Sequence, residues 1–277
     1  MNETSTPTPT DDDVVLLDVG PNGVALVTLN RPHRMNAWNG ALEHRYFERL
    51  AECDADPAVR AIVVTGAGRG FCPGADMDLL QGIAGPGELV PTAESRPVTF
   101  PTTISKPLIG AINGACAGVG LVQALMFDIR FAAAGIKFTT AFPRRGLIAE
   151  YGSSWLLPRL VGTSRALDLL MSGRVVLSEE ALAMGLVDRV VPGEQLVAAA
   201  IAYAADLAAN CSPASMATIK RQVYGHATRD LGEALEESNR LMGMSLRGPD
   251  FKEGVASYVD KRPAAFAPLG QGTTFDI

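Results

Sequence analysis

Apolar residues come first in two short runs, Val14–Val19 and Val24–Asn30, separated by Pro21-Asn22-Gly23. Turn residues between two short apolar runs predict a β-hairpin. Arg31-Pro32 closes the second run. Leu42, Tyr46, Leu50 and Cys53 then recur at helical spacing and predict an amphipathic helix over Ala41–Cys53. Arg60–Thr65 reads as a buried strand entering a glycine-rich loop, Gly66–Gly74, and Asp76 as the N-cap of a helix over Met77–Gln81. Gly82–Pro101 has no clean period and reads as a long loop, functional or mobile. Next come a strand over Pro107–Asn113, a glycine-rich turn, a helix over Val119–Phe127, and strands over Asp128–Ala132 and Ile136–Thr139. Beyond them the pattern is helical: Ser154–Leu160, Ser164–Ser172, Ser178–Met184, Gln195–Asn210, Pro213–Tyr224, Asp230–Met244 and Asp250–Asp260, interrupted by one strand, Leu186–Val191. A β/α first half followed by a helical second half predicts an α/β core with a helical extension.

Composition narrows the class. The 277 residues carry 24 Lys and Arg against 30 Asp and Glu, a net charge of −6, with 47% apolar residues. That is globular, and its acidity disfavours a nucleic-acid partner. The longest candidate apolar run, Leu196–Ala205, is about half of the roughly 20 residues a membrane helix needs, so no membrane partner is expected. The opening MNETSTPTPTDDD has neither a basic start nor an apolar stretch, and reads as a disordered lead-in instead of a signal peptide. Cys53, Cys72, Cys116 and Cys211 lie far apart, which predicts reduced thiols and a cytoplasmic setting. His33, His44 and His226 have no metal-ligand spacing, so no metal is expected.

Two glycine-rich loops, Thr65–Met77 and Asn113–Gly120, each follow a strand and open a helix. Unpaired N–H groups at a helix start make an anion or oxyanion site. Plain turn-making and close packing explain the glycines equally well. A dinucleotide fingerprint is disfavoured, because the third glycine after Gly66-x-Gly68 should fall at Phe71.

Within the first loop, Phe71-Cys-Pro-Gly-Ala-Asp76 resembles the F-C-x-G-x-D signature of the crotonase (enoyl-CoA hydratase/isomerase) superfamily. Further matches follow in order: Leu29-Asn-Arg-Pro32 with Asn36-Ala37; Lys106-Pro107, Ala111-Ile-Asn-Gly114 and Gly118-Val-Gly120; Asp128-Ile-Arg130; Gly173, Ala181, Gly185-Leu-Val187 and Val191-Pro192; Glu253-Gly-Val255 and Lys261-Arg-Pro263. The resemblance spans about residues 14–266. It implies a spiral of ββα units over 14–195 after a tail at 1–13, and a helical assembly region over 196–277 that builds homotrimers or hexamers. It implies an acyl-CoA thioester substrate, with coenzyme A part of the substrate and no separate cofactor. The thioester oxygen, as it becomes an enolate, would be gripped by the backbone N–H groups of Ala75 and Val119. Contacts to substrate or CoA would fall on His33, Arg34, Asp76, Phe142 and Lys261.

The chain departs from the hydratase pattern at both acid positions. Hydration needs one carboxylate to activate water and another to relay a proton, yet the two aligned positions are Val122 and Phe142. One acid survives nearby. Leu147-Ile-Ala-Glu150-Tyr-Gly resembles the L-I-P-D-x-G segment of members that shift double bonds, where the acid at the position of Glu150 moves the proton. Apolar neighbours Leu147, Ile148 and Ala149 are expected to raise its pKa. The alternative is that Glu150 sits in the first turn of the next helix and favours its dipole. Three functions therefore stand: a double-bond isomerase using Glu150; a hydratase or lyase with water placed by Glu150 or Tyr151; and an acyl-CoA-binding protein without turnover. Arg144 and Arg145 read as surface pairs, and Tyr151, Trp155 and Phe142 as core or pocket wall.

Overall fold

The computed structural model describes residues 14–77 and 96–270. The tail at 1–13, most of the helix expected over Met77–Gln81 and most of the loop expected over Gly82–Pro101 lie outside the described residues.

The hairpin forms as read, from β1 (Val15–Val19) and β2 (Val24–Leu29), paired antiparallel. α1 (Gly40–Ala55) starts at Asn39, whose side chain accepts from Leu42 N–H, and buries Leu42, Tyr46, Phe47, Leu50 and Cys53. The chain then alternates between two sheets. β3 (Ala61–Gly66), β5 (Leu108–Ile112) and β7 (Ile129–Ala133) extend the hairpin into a six-stranded sheet ending at β10 (Arg189–Val191), in the order β1-β2-β3-β5-β7-β10. Each of β3, β5 and β7 is followed by a shorter strand in a second sheet: β4 (Gly70–Cys72), β6 (Ala115–Ala117) and β8 (Lys137–Thr139), closed by β9 (Val176–Leu177). Each turn of chain thus adds one strand to each sheet, which is the expected spiral. The pattern did not reveal β4 and β6. They are three residues each and sit inside segments whose glycines read as loop. The strand expected over Leu186–Val191 is shorter, because Leu186 and Val187 are core residues outside the ladder.

Both faces of the large sheet are buried at its central strands β3 and β5, which explains their continuous apolar runs. Ile62 and Val64 face the core shared with α1 and the small sheet, while Ala61 and Val63 face the other side. On that other side lies α6 (Leu196–Asn210), with Leu196, Ala200, Ala204 and Ala208 buried at four-residue spacing. α6, the first helix of the C-terminal region, is therefore a layer of the sheet. The remaining helices are α2 (Val119–Leu125), α3 (Ser153–Val161), α4 (Thr163–Ser172), α5 (Ser178–Met184), α7 (Pro213–His226), α8 (Leu231–Ser245) and α9 (Pro249–Asp260). All lie close to their sequence-read positions. α7 to α9 leave Ile219, Val223, Leu235, Met242, Val255 and Val259 exposed.

Candidate active site

β4 and β6 run parallel with Cys72 opposite Cys116. Two residues beyond each cysteine is a glycine, Gly74 and Gly118, and three beyond are Ala75 and Val119. The register alone therefore carries the two expected donors to the same level. The loops meet there: a methyl group on Gly118 would lie 3.6 Å from the Gly74 Cα. Both glycines have positive φ, 113° and 50°, a region closed to most side chains.

The backbone at Ala75 is held by Trp38. Trp38 N–H donates to Gly74 O at 2.8 Å, and Asp76 N–H donates to Trp38 O at 2.8 Å. This parallel bridge leaves the Ala75 N–H turned away from Trp38. Val119 opens α2, whose N-cap Gly118 offers no side-chain acceptor. Neither the Ala75 nor the Val119 N–H donates to a described residue. α2 is pressed onto β4 at Gly120, where a methyl group would meet Cys72 Cβ at 2.7 Å and Sγ at 2.8 Å.

Two asparagines of the recognised motifs brace these loops. Asn36, fully buried and at φ 64°, accepts from Arg31 N–H at 2.8 Å and donates to Ala67 O at 3.0 Å and Gly70 O at 2.8 Å. Asn113 donates to Gly68 O at 2.9 Å and accepts from Gly66 N–H at 3.1 Å. The two Asn36 bonds to Ala67 and Gly70 lock the segment before α1 to the loop that carries Ala75, and the third fastens Asn36 to Arg31 within its own segment.

Glu150 is half-buried, and desolvation pushes its carboxyl above the ordinary glutamate range. Of the apolar neighbours expected to bury it, Leu147 and Ile148 are exposed, Ile148 by 82%, and Ala149 is half-buried. Nor is Glu150 in a helical first turn. It precedes two left-handed residues, Tyr151 (φ 51°) and Gly152 (φ 79°), and α3 begins only at Ser153. Val122 and Phe142, at the positions where a hydratase would carry its acids, are both core residues, at 1% and 3% exposure.

The remaining expected contacts scatter. Asp76 is buried against Arg31, 3.0 Å away, so this carboxylate is spent on an internal pair. Phe142 is a core residue, in line with its reading as core or pocket wall. His33 and Arg34 are exposed on a short 3-10 turn, Pro32–Arg34. Lys261 is exposed at the C-terminal cap of α9. Arg144 donates to Ser172 O at 3.1 Å. Cys72 is fully buried and its thiol is pushed up to about 12, so it is inert. Tyr151 is 48% exposed and is not core.

Glu43 escaped the sequence reading. It lies in the first turn of α1, where an acid is ordinary dipole chemistry. Its Oε2 accepts from Trp38 Nε1 at 2.8 Å, and its charge acts on the Tyr151 phenol together with that of Glu150. Only the fold could reveal that convergence.

A family model described as enoyl-CoA hydratase/isomerase matches residues 20–268. The chain is 35% identical over 249 residues to the 1,2-epoxyphenylacetyl-CoA isomerase of Escherichia coli (strain K12), covering 88% of this chain and 95% of that one. It is similar to the crystal structure of an enoyl-CoA hydratase, EchA12_1, from Mycobacterium marinum, at 52% identity and a TM-score of 0.68, covering 78% of this chain and 100% of that one. It also matches a "probable enoyl-CoA hydratase/isomerase" from Mycobacterium abscessus, at 29% identity and a TM-score of 0.85, covering 92% and 99%.

Proposed function

The chain belongs to the enoyl-CoA hydratase/isomerase family, and from that premise we propose that it shifts a double bond in an acyl-CoA thioester, with Glu150 as the single acid/base. Removing a proton beside a thioester builds negative charge on the thioester oxygen. The Ala75 and Val119 N–H groups, brought together by Gly74 and Gly118, receive that oxygen. Such donors are preorganised and need no rearrangement as charge develops, and each contributes about 2.7–4 kcal/mol. Glu150 takes the proton from one carbon and returns it at another. Its raised pKa suits both steps, because a carboxyl nearer working pH is a better base and a better acid than an ordinary one.

The observation that carries the isomerase reading is the contrast between Glu150 and the two buried apolar residues, Val122 and Phe142. One carboxylate is enough to move a proton along a chain, whereas the two-acid route to hydration uses one carboxylate to activate water and another to relay a proton. Hydration is the second reading, favoured by the hydratase names among relatives. Incubation with matched trans-2- and trans-3-enoyl-CoA thioesters separates them. Interconversion of the two without hydroxyacyl-CoA supports isomerisation, and hydroxyacyl-CoA as the main product refutes it.

We propose homo-oligomer assembly through the apolar residues that α7 to α9 leave exposed. Soluble monomers rarely leave so much apolar surface open, and we place the homo-oligomer contact there. Sedimentation of the protein and of a Val223→Glu variant tests this, with a shift to monomer expected.

A further inference from the structure

We propose that Arg31 is a positioning residue for the oxyanion site, its guanidinium aligning and polarising the Ala75 N–H through two successive peptide groups. The inference rests on the acyl-CoA reading above and adds a charge behind one of its two donors. Arg31 Nη1 donates to Ala37 O at 2.5 Å. The Ala37 C=O belongs to the same peptide unit as the Trp38 N–H, which donates to Gly74 O at 2.8 Å. The Gly74 C=O in turn shares its peptide unit with the Ala75 N–H. Both units are trans, so the C=O and N–H of each point in opposite directions. Every donor in the chain therefore faces the same way, from the guanidinium toward the place where a thioester oxygen would sit.

The chain is held at both ends. Arg31 Nη2 lies 3.0 Å from Asp76 Oδ2, and the two side chains are 13% and 8% exposed. Asp76 N–H donates to Trp38 O at 2.8 Å, so the peptide units on either side of Ala75 are both tied to Trp38. One guanidinium thus grips the carbonyl before Trp38 and the side chain after Ala75, a two-point hold that suits its rigid fork of donors. Burial keeps water from screening its charge. A cation at the head of such a chain polarises each peptide in turn, and each bond strengthens the next by about 10–30%. Val119 is backed differently. Its peptide partner, Gly118 O, accepts from Val122 N–H at 3.0 Å in the first turn of α2. The two donors therefore draw on separate supports, and a loss behind Ala75 leaves Val119 intact.

The test reads the thioester carbonyl itself, by infrared difference spectra of a saturated acyl-CoA isotope-labelled at that carbon and bound to wild type or variant. A hydrogen bond to a carbonyl lowers its stretching frequency, so wild type should shift the band below its position in water. The double variant Arg31→Gln, Asp76→Asn removes both charges together and strands no buried carboxylate. It should move the band part of the way back. Its kcat on an enoyl-CoA should fall about tenfold with KM within twofold, because the polarisation counts most when charge develops on the oxygen. Arg31→Lys keeps a cation beside Ala37 O and should leave the band near its wild-type position. An unmoved band in the double variant overturns the inference, and so does an equal displacement in Arg31→Lys, since shape alone would then explain the effect. Both of those outcomes leave the proposed function intact. A wild-type band no lower than in water would overturn the oxyanion grip of the proposed function, and this inference with it.

Discussion

Gly120→Ala tests how tightly α2 positions the Val119 N–H. A methyl group there would meet Cys72 Cβ at 2.7 Å and Sγ at 2.8 Å, and the Cys72 carbonyl oxygen as well. Carbon contacts settle near 3.5–4.0 Å, so about 1 Å of separation must be found. Cys72 cannot supply it, since it is fully buried on β4 and paired to β6. α2 must lift instead, and Val119, the adjacent residue, moves with it relative to Ala75. Overpacking costs about 1–3 kcal/mol. Alanine recovers up to about 1 kcal/mol of helix propensity over glycine, so the net stability loss stays near 2 kcal/mol or less. Turnover should suffer far more, because a 1 Å misplacement can lower a rate about 100-fold. Thermal melts and steady-state kinetics on one enoyl-CoA measure both quantities. Gly225→Ala on α7 is the control. Its methyl group would meet nothing within 4 Å, so stability should rise by up to about 1 kcal/mol with turnover unchanged. A folded Gly120→Ala protein within twofold of wild-type kcat would refute the positioning argument.

Asn36→Ala removes three hydrogen bonds of a buried side chain and puts alanine at φ 64°; a loss of about 3 kcal/mol is expected in denaturant melts. Asp128→Ala strands Lys220, 2.8 Å away with its side chain 9% exposed, and unpairs Leu108 N–H; about 3 kcal/mol is expected from the uncompensated charge, and a loss under 1 kcal/mol would contradict it. Because desolvation raises the Glu150 pKa, native protein binds that proton more tightly than the unfolded chain. Its contribution to stability is full below the ordinary glutamate value and fades as pH rises through the folded value. Melts of wild type against Glu150→Gln should show the wild type losing relative stability over that window, and the acidic limb of kcat/KM should lie above the ordinary carboxylate range.

The large sheet and the helices were legible because their signals are local. Continuous apolar strands such as Ile62–Val64 and the four-residue stripe of α6 announce their own burial. The small sheet was not, because β4 and β6 are too short to show a period and contain the glycines the site needs. The meeting of Gly74 and Gly118 could be reached only through motif resemblance; in the structure it follows from the Cys72–Cys116 register. Asp76 and Phe142 stand at motif positions, which drew them into the expected site, but their side chains are buried against Arg31 and in the core. Glu43 lay beyond sequence reasoning altogether. Its 107-residue separation from Glu150 closes only through the fold.

In the proposed function, two backbone donors hold a thioester enolate while Glu150 moves the proton. Exchange of substrate carbon-bound hydrogen with solvent deuterium reads that proton transfer directly, without waiting for product. Wild type incubated with an enoyl-CoA in heavy water should incorporate deuterium beside the thioester or at the γ-carbon, and Glu150→Gln should not, while still binding the thioester. Incorporation by Glu150→Gln at the wild-type rate would contradict the account.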